Sequence, residues 1–185
     1  MKIDTAFTDR ITALHKRLGI PPDYATHHGL QPCLECGDLV SIGQDIFDRE
    51  QWMEPRAAKA WSAMQTAAAA DRVDVQVVSA YRSIEYQASI FQKKLESGQC
   101  MGDILQVSAA PGFSEHHSGR AMDLSTPGFE PLEDIFERSK AFEWLRKNAK
   151  QFGFRMSFPR DNPHGLCYEP WHWCWVPSDS DQNLV

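Results

Sequence analysis

Three side chains of types that commonly bind metal ions, His116, Asp123 and His172, constrain how this chain can fold. His116 and Asp123 are seven residues apart, too far for the i, i+4 spacing of one helical face. A loop that enters a strand can bring them together, and Gly119 between them allows the bend. His172 lies much later in the chain and would approach from another strand. Three such ligands leave the fourth position of a tetrahedral zinc ion open for water, as in catalytic rather than structural sites.

The residues just before the last of these ligands add a candidate base. Glu169 precedes His172 by three positions in the segment Glu169-Pro170-Trp171-His172. A carboxylate beside a zinc-activated water can take its proton, and zinc brings the pKa of such a water to about 7. The pattern is therefore typical of a zinc hydrolase, although the H-E-x-x-H motif of other zinc peptidases does not occur in the sequence.

Simpler interpretations compete with the metal site. A His and an Asp at such a spacing are more often structural than metal-binding, and the metal interpretation depends on all four residues occurring together. His117, next to a candidate ligand, is expected to surround the site and not to bind the metal. Zinc is itself an inference, because other divalent ions can also occupy a set of two His and one Asp.

Three sequence blocks, in the same order along the chain, resemble a known family. The first is Ser79-Ala80-Tyr81-Arg82 followed by Gln87. The second, from Ser114 to Asp123, is S-x-H-x-x-G-x-A-x-D, and the third is E-x-W-H, beginning at Glu169. Together they resemble the VanY-type D-alanyl-D-alanine carboxypeptidases, part of a wider group of zinc peptidases that includes lysostaphin-like enzymes and the hedgehog signalling domain. The resemblance covers residues 37–176.

The resemblance implies roles for the catalytic residues. His116, Asp123 and His172 would hold zinc, and Glu169 would take a proton from water and later give it to the leaving amine. Arg82 would act on the substrate, either by stabilising the developing oxyanion or by binding the terminal carboxylate. The sequence does not choose between these two roles, and a structural salt bridge is a third interpretation of Arg82.

The resemblance also implies a substrate class. Gln87 and Ser114 are expected to contact the substrate, although Ser114 could equally cap or turn its loop. The implied reaction removes the terminal D-alanine from peptidoglycan stem peptides, or muropeptides, that end in D-Ala-D-Ala. Three alternatives stay open: an L,D-carboxypeptidase acting on tetrapeptide stems, an endolysin-type peptidoglycan endopeptidase, and a non-catalytic zinc-binding module. The presence of Glu169 argues against the last, since a binding module needs no base.

Helices and strands alternate only in part, which favours an α+β fold. The resemblance implies a hedgehog/DD-peptidase-like fold, in which helices flank a small, mainly antiparallel sheet. The sequence predicts helices at residues 5–18, 55–70, 83–97 and 131–151, strands at 73–78, 121–124, 152–158 and 171–176, and loops at 24–41 and 102–112.

Length and charge limit the number of domains and the kinds of binding partner that are expected. The 185 residues are expected to form one zinc peptidase domain at 37–176, an N-terminal helix and loop extension at 1–36, and a C-terminal tail at 177–185. The net charge of −6 offers no basic surface for nucleic acid, and no apolar run approaches the roughly 20 residues of a membrane span.

The N-terminal residues do not form a signal peptide, so a cytoplasmic location is expected unless the chain has been trimmed, which would permit periplasmic or cell-wall action. The sequence does not indicate an oligomeric state.

Cys33 and Cys36 form a C-x-x-C pair that invites a second metal site, with His27 and His28 as further ligands. A structural zinc site would normally need another matching cysteine pair, which the sequence does not provide. Ordinary loop thiols are therefore the preferred interpretation.

Trp171, Trp173 and Trp175 alternate along the last predicted strand and so share one of its faces, with His172 and Cys174 on the other. This pattern favours a tryptophan-rich wall of the core over a platform for stacking sugars.

Overall fold

The structure, a computed structural model, describes residues 3–177. The helices and strands of this part of the chain are, in order, α1 (Thr5–Leu18), α2 (Tyr24–His28), β1 (Val40–Gln44), β2 (Glu50–Met53), α3 (Pro55–Ala70), β3 (Gln76–Ser79), α4 (Ile84–Glu96), α5 (Met101–Val107), β4 (Ala121–Ser125), α6 (Lys140–Asn148), β5 (Phe154–Met156) and β6 (His172–Trp175). Three short 3-10 helices span Glu115–Ser118, Asp134–Arg138 and Ala149–Phe152.

The predicted α+β fold is confirmed. A four-stranded sheet has the strand order β3-β4-β6-β5, a separate two-stranded sheet pairs β1 with β2, and all of these pairings are antiparallel. The four predicted strands correspond to β3, β4, β5 and β6, although β3 begins later and β5 is shorter than predicted. The paired strands β1 and β2 were not predicted, because β1 falls at the end of a polar, glycine-marked segment.

Two hydrophobic clusters form the core of the described residues. One lies between the four-stranded sheet, α3 and α6; it contains Trp173 and Trp175, with Trp171 packed against it. The prediction of a tryptophan-rich core wall is thus confirmed. The second cluster joins α1 and α2 to α4 and α5. The N-terminal helices therefore pack directly on the helix that follows Arg82.

The best-predicted helices carry clear signals at their ends. The predicted bounds of α1 and α3 are confirmed, and Gly19 ends α1 with a left-handed φ of 76°. Pro55 occupies the first turn of α3, where its missing N–H costs no hydrogen bond. Ser83 caps α4, because its hydroxyl accepts a hydrogen bond from the N–H of Tyr86 at 3.0 Å.

The single helix predicted for residues 131–151 is wrong. The segment divides into two 3-10 helices with α6 between them. The break falls at Ser139, whose extended backbone (φ −81°, ψ 155°) cannot continue a helix. Its hydroxyl instead accepts a hydrogen bond from the N–H of Phe142 at 3.0 Å and begins α6.

The loops predicted at 24–41 and 102–112 are also wrong in part. The first contains the short helix α2. In the second, α5 takes up residues 102–107 and only the remainder is a loop. Gly102 weakens the helix signal of α5, but Ile104 and Leu105 are buried in the second cluster. Burial of these two side chains outweighs the weak helix propensity of the segment.

Of residues 3–177, no helix is long and apolar enough to cross a lipid bilayer. Nearly all of the tail predicted at 177–185 lies outside the described residues.

Replacing Gly119 should destabilise the fold more than replacing another glycine with positive φ. Gly119 has a φ of 67°, and an added Cβ would lie 2.9 Å from the backbone nitrogen of Glu54, the residue that caps α3. Gly128 has a φ of 86° but nothing within 4 Å of that position. We expect Gly119→Ala to lower the free energy of unfolding in urea by about 1–3 kcal/mol more than Gly128→Ala does, because only Gly119→Ala adds overpacking to backbone strain. Equal losses for the two variants would contradict this interpretation.

Candidate metal centre

Strand pairing brings the three predicted ligands together. β4 and β6 are antiparallel with Asp123 opposite His172, and His116 lies in the 3-10 helix just before β4. All three side chains are buried, and one potential ligand atom from each lies within 4.8 Å of the other two. Within residues 3–177 this is the only set of three or more His, Cys, Asp or Glu side chains close enough to share an ion.

The environment of His116 fits a metal ligand. Its Nδ1–H donates a hydrogen bond to the carbonyl oxygen of Ala80 at 2.6 Å, which leaves the lone pair on Nε2. That Nε2 is buried, has no hydrogen-bond partner in the described part of the chain, and lies 3.3 Å from Asp123 Oδ2. A buried imidazole nitrogen without a partner is costly unless something else binds it. A metal ion fits this requirement.

His172 presents its other nitrogen to the same place. Its Nε2–H donates to Glu115 Oε2 at 2.9 Å, while Nδ1 lies 3.1 Å from Asp123 Oδ1. Nδ1 is therefore the atom available to a metal. Both histidines thus have one nitrogen fixed by an oxygen of the protein and the other directed to Asp123, which is the usual arrangement around protein-bound metals.

The charges of the centre are arranged for a cation. Burial, with a contribution from the Arg82 cation, lowers the pKa of His116 to about 4, so its ring is neutral at pH 7. Burial opposes ionisation of Asp123, but the neighbouring histidines hold its pKa well below the usual range. Burial also disfavours the charge on His172, yet hydrogen bonds with Asp123 and Glu115 raise its pKa to about 10. Metal binding at Nδ1 would replace the proton that His172 directs to Asp123 and would leave the Nε2–H hydrogen bond to Glu115 in place.

Glu115 is a site residue that the sequence analysis missed. Besides the hydrogen bond from His172, it accepts one from Arg155 Nη2 at 3.2 Å. Burial is the largest single effect and raises its pKa, but the hydrogen bond and positive charge of His172, with the charge of Arg155, together outweigh burial and lower the pKa to about 2. Glu115 adjoins His116 in the second sequence block, so proximity to a ligand was the available signal, but nothing local indicates that it would contact His172.

Glu169 lies beside the predicted ligands. The chain turns between Glu169 and His172, whose backbone N–H donates to the Glu169 carbonyl at 3.1 Å. The turn places Glu169 Oε2 3.7 Å from His172 Nδ1. Burial is the main effect that raises the pKa of Glu169 to about 7, and the negative charge of Asp123 adds to it. A carboxyl group with such a pKa can both accept and release a proton near neutral pH.

Arg82 lies beside Asp123 and is held by Gln87. Its Nη2 lies 3.6 Å from Asp123 Oδ2, and its Nη1 donates to Gln87 Oε1 at 3.2 Å. The amide of Gln87 is held in turn, because its Nε2 donates to the carbonyl of Ala109 at 2.9 Å. Arg82 Nε is buried and has no hydrogen-bond partner within the described residues. The guanidinium is thus positioned by the protein but retains donor capacity.

His117 supports Arg82 and does not face the metal centre. Its Nδ1–H donates to the Arg82 carbonyl at 2.6 Å, and its Nε2 accepts from the N–H of Gly112 at 3.0 Å. Because both ring nitrogens are occupied by backbone groups, His117 has no lone pair to offer a metal. It fixes the backbone that carries Arg82.

The centre opens into a cleft of about 680 Å³. All predicted site residues line this cleft, namely Arg82, Gln87, Ser114, His116, Asp123, Glu169 and His172. Ser114 precedes the 3-10 helix Glu115–Ser118, but its side chain makes no capping hydrogen bond to it. The size of the cleft suits a short peptide segment or a comparably sized ligand.

The Cys33–Cys36 pair lies outside this cleft. Cys33 is partly buried, and burial raises the pKa of its thiol to about 11, so it is a poor thiolate donor at neutral pH. His28 and His164 are joined to each other, since the Nδ1 of each ring is hydrogen-bonded to the other residue's carbonyl at 2.7 and 2.9 Å.

Comparison with known proteins supports the same relationship. The family model described as VanY, D-alanyl-D-alanine carboxypeptidase, matches residues 50–178. Among curated relatives, the Bacillus subtilis (strain 168) protein YodJ is 30% identical over 168 residues. The match covers 88% of this chain and 58% of YodJ, so the chain spans little more than half the length of that relative.

Solved structures agree with the sequence comparison. The LdcB LD-carboxypeptidase has a TM-score of 0.70 and 31% identity, covering 80% of this chain and 72% of that chain. A mutant of the vancomycin resistance D,D-pentapeptidase VanY, solved with Zn(II), has a TM-score of 0.63 and 25% identity. The match covers 84% of this chain and 87% of that chain. Because the family match takes in more than half of the chain, and with it Arg82, the predicted ligands and Glu169, this protein belongs to the VanY D-alanyl-D-alanine carboxypeptidase family.

Proposed function

We propose that the protein is a zinc-dependent D,D-carboxypeptidase that removes the terminal D-alanine from peptidoglycan stem peptides ending in D-Ala-D-Ala. The observation that carries this proposal is the convergence of His116, Asp123, His172 and Glu169 within one peptide-sized cleft. The family relationship supports the substrate class.

The chemistry of the ligand set supports zinc as the metal. Two imidazole nitrogens and one carboxylate oxygen form a three-ligand set of the kind found in catalytic zinc sites, and a VanY structure has been solved with Zn(II). When bound, zinc would activate a water molecule and polarise the scissile carbonyl. Nε2 of His116, Nδ1 of His172 and a carboxylate oxygen of Asp123 would hold it.

Side chains of the cleft would transfer the proton and bind the substrate. Glu169 accepts the proton of the attacking water and delivers it to the leaving amine of D-alanine, a transfer that suits its raised pKa. Arg82, held by Gln87 and next to Asp123, directs its donors toward substrate oxygens. Gln87 and Ser114 complete the wall that receives the peptide.

A second candidate, an L,D-carboxypeptidase that trims tetrapeptide stems, has support from a specific observation. The LdcB LD-carboxypeptidase has a higher TM-score and a higher identity with this chain than the zinc-containing VanY does. The same metal and base serve both reactions, since the two substrates differ in the residue that precedes the terminal D-alanine.

Soluble muropeptides distinguish these candidates. We expect the zinc-loaded protein to release one alanine from a pentapeptide stem and to leave a tetrapeptide stem intact, as followed by mass spectrometry. Cleavage of the tetrapeptide alone would assign the L,D reaction instead. Fragments released from intact sacculi without loss of terminal alanine would indicate an endopeptidase.

Metal binding and catalysis should separate in two variants. We expect Glu169→Gln to retain zinc but lose about 100- to 10,000-fold in kcat, because it removes the proton acceptor. His116→Ala should lose the metal itself, measured by elemental analysis after dialysis. Glu143→Gln, an exposed carboxylate paired with Lys147, is the control and should change neither property. Unchanged turnover in Glu169→Gln would contradict the proposed mechanism.

Glu115 should contribute to zinc affinity without binding the ion. Its hydrogen bond fixes the ring of His172 so that Nδ1 faces the metal. We expect Glu115→Gln to weaken zinc binding roughly 10- to 100-fold in competition with a chromophoric chelator, as for other carboxylates that hold a metal-binding histidine. The same control, Glu143→Gln, should bind zinc as the wild type does. Equal affinities for all three proteins would rule out this role for Glu115.

A further inference from the structure

A second cation, Lys94, lies in the cleft and has no role in the function proposed above. It is on α4, seven residues after Gln87, so the two residues lie on nearly the same face of the helix and about 10 Å apart along its axis. The side chain of Lys94 lines the cleft together with the metal centre.

The ammonium group of Lys94 has a hydrogen-bond partner but, among residues 3–177, no carboxylate that pairs with its charge. Its Nζ donates a hydrogen bond to Ser108 Oγ at 3.2 Å, and the residue is half-buried. Among residues 3–177, no carboxylate lies within 4 Å of this nitrogen, whereas Arg82 is 3.6 Å from Asp123. A partly buried charge without a counterion is unfavourable, and an anionic ligand would compensate it.

Lys94 lines the same cleft as Arg82 and Glu169, and the charges of these two residues act on it. Burial and the like charge of Arg82 lower the pKa of Lys94, and the opposite charge of Glu169 partly offsets this effect. The cleft also contains two exposed acidic residues, Glu133 and Asp134, on the segment before α6. The α4 wall is therefore cationic and another part of the rim is acidic, so a peptide with one anionic end is favoured in a single orientation.

We infer that Lys94 binds the terminal carboxylate of the substrate and thereby makes the enzyme an exopeptidase. This inference rests on the proposed function and adds to it. A terminal D-alanine carries its carboxylate roughly one residue, about 3.8 Å between adjacent Cα atoms, from the bond that is cut. Binding of that carboxylate by Lys94 leaves the donors of Arg82 for the oxygen of the scissile carbonyl, which resolves the two roles that the sequence leaves open for Arg82.

A pair of peptides tests this assignment. One is the pentapeptide stem with a free terminal carboxylate, and the other is the same peptide with a terminal carboxamide. We expect the wild type to prefer the free acid through a lower KM. Lys94→Gln should raise KM for the acid roughly 10- to 100-fold, the effect of losing a hydrogen bond to a charged group, with kcat and the reaction of the carboxamide little changed. Lys94→Arg should restore part of the preference.

Lys93→Gln is the matched control. Lys93 precedes Lys94 on α4, is exposed and does not line the cleft, so its replacement removes the same charge from the helix without touching the site. We expect this variant to retain the wild-type preference for the free acid. Loss of preference in both variants would mean that net charge, and not contact with Lys94, sets the specificity.

Binding to the zinc-loaded Glu169→Ala protein separates this inference from the proposed reaction. Isothermal titration calorimetry should show tighter binding of the acid than of the carboxamide. In the double variant that combines Glu169→Ala with Lys94→Gln, this difference in affinity should disappear. Such a result without turnover by the wild type would support the role of Lys94 and contradict the proposed reaction. The role of Lys94 would be overturned if Lys94→Gln kept the preference, if the wild type showed none, or if neither peptide bound.

Discussion

The register between β4 and β6 is the constraint on which the rest of the site depends. It sets Asp123 opposite His172, and a slip of one residue would turn one of the two side chains to the other face of the sheet. Trp173 and Trp175 hold the register, because both are packed in the core and a slip would displace them from it. The hydrophobic core thus fixes the separation of two polar side chains, Asp123 and His172, that water would otherwise solvate separately.

Hydrogen bonds outside the ligand set join the three sequence blocks into one unit. The carbonyl of Ala80 in the first block orients His116 in the second, and His117 in the second block fixes the carbonyl of Arg82 in the first. Glu115 in the second block orients His172 in the third. The first and second blocks therefore position groups of each other, and the second block also orients the histidine of the third. These contacts give a physical reason for the occurrence of the three blocks together in one chain.

The parts of the fold that were predictable carry local signals. The bounds of α1 and α3 followed from apolar periodicity and from Gly19 and Pro55 at their ends. The segment 131–151 has strong helical periodicity, but a capping serine in its middle outweighs that periodicity. In α5 the helix propensity of the local sequence is weak, and burial against helices distant in the sequence stabilises the helix.

The sequence by itself determined the family, the candidate metal ligands and the candidate base, because those residues occur at characteristic spacings within short blocks. Only the tertiary structure decided what surrounds them. Glu115 contacts a residue 57 positions away, and Lys94 reaches the cleft because α4 and the segment around Ser108 pack side by side. Such contacts leave no periodic pattern in the chain, since their geometry is set by how separate elements pack and not by the order of neighbouring residues.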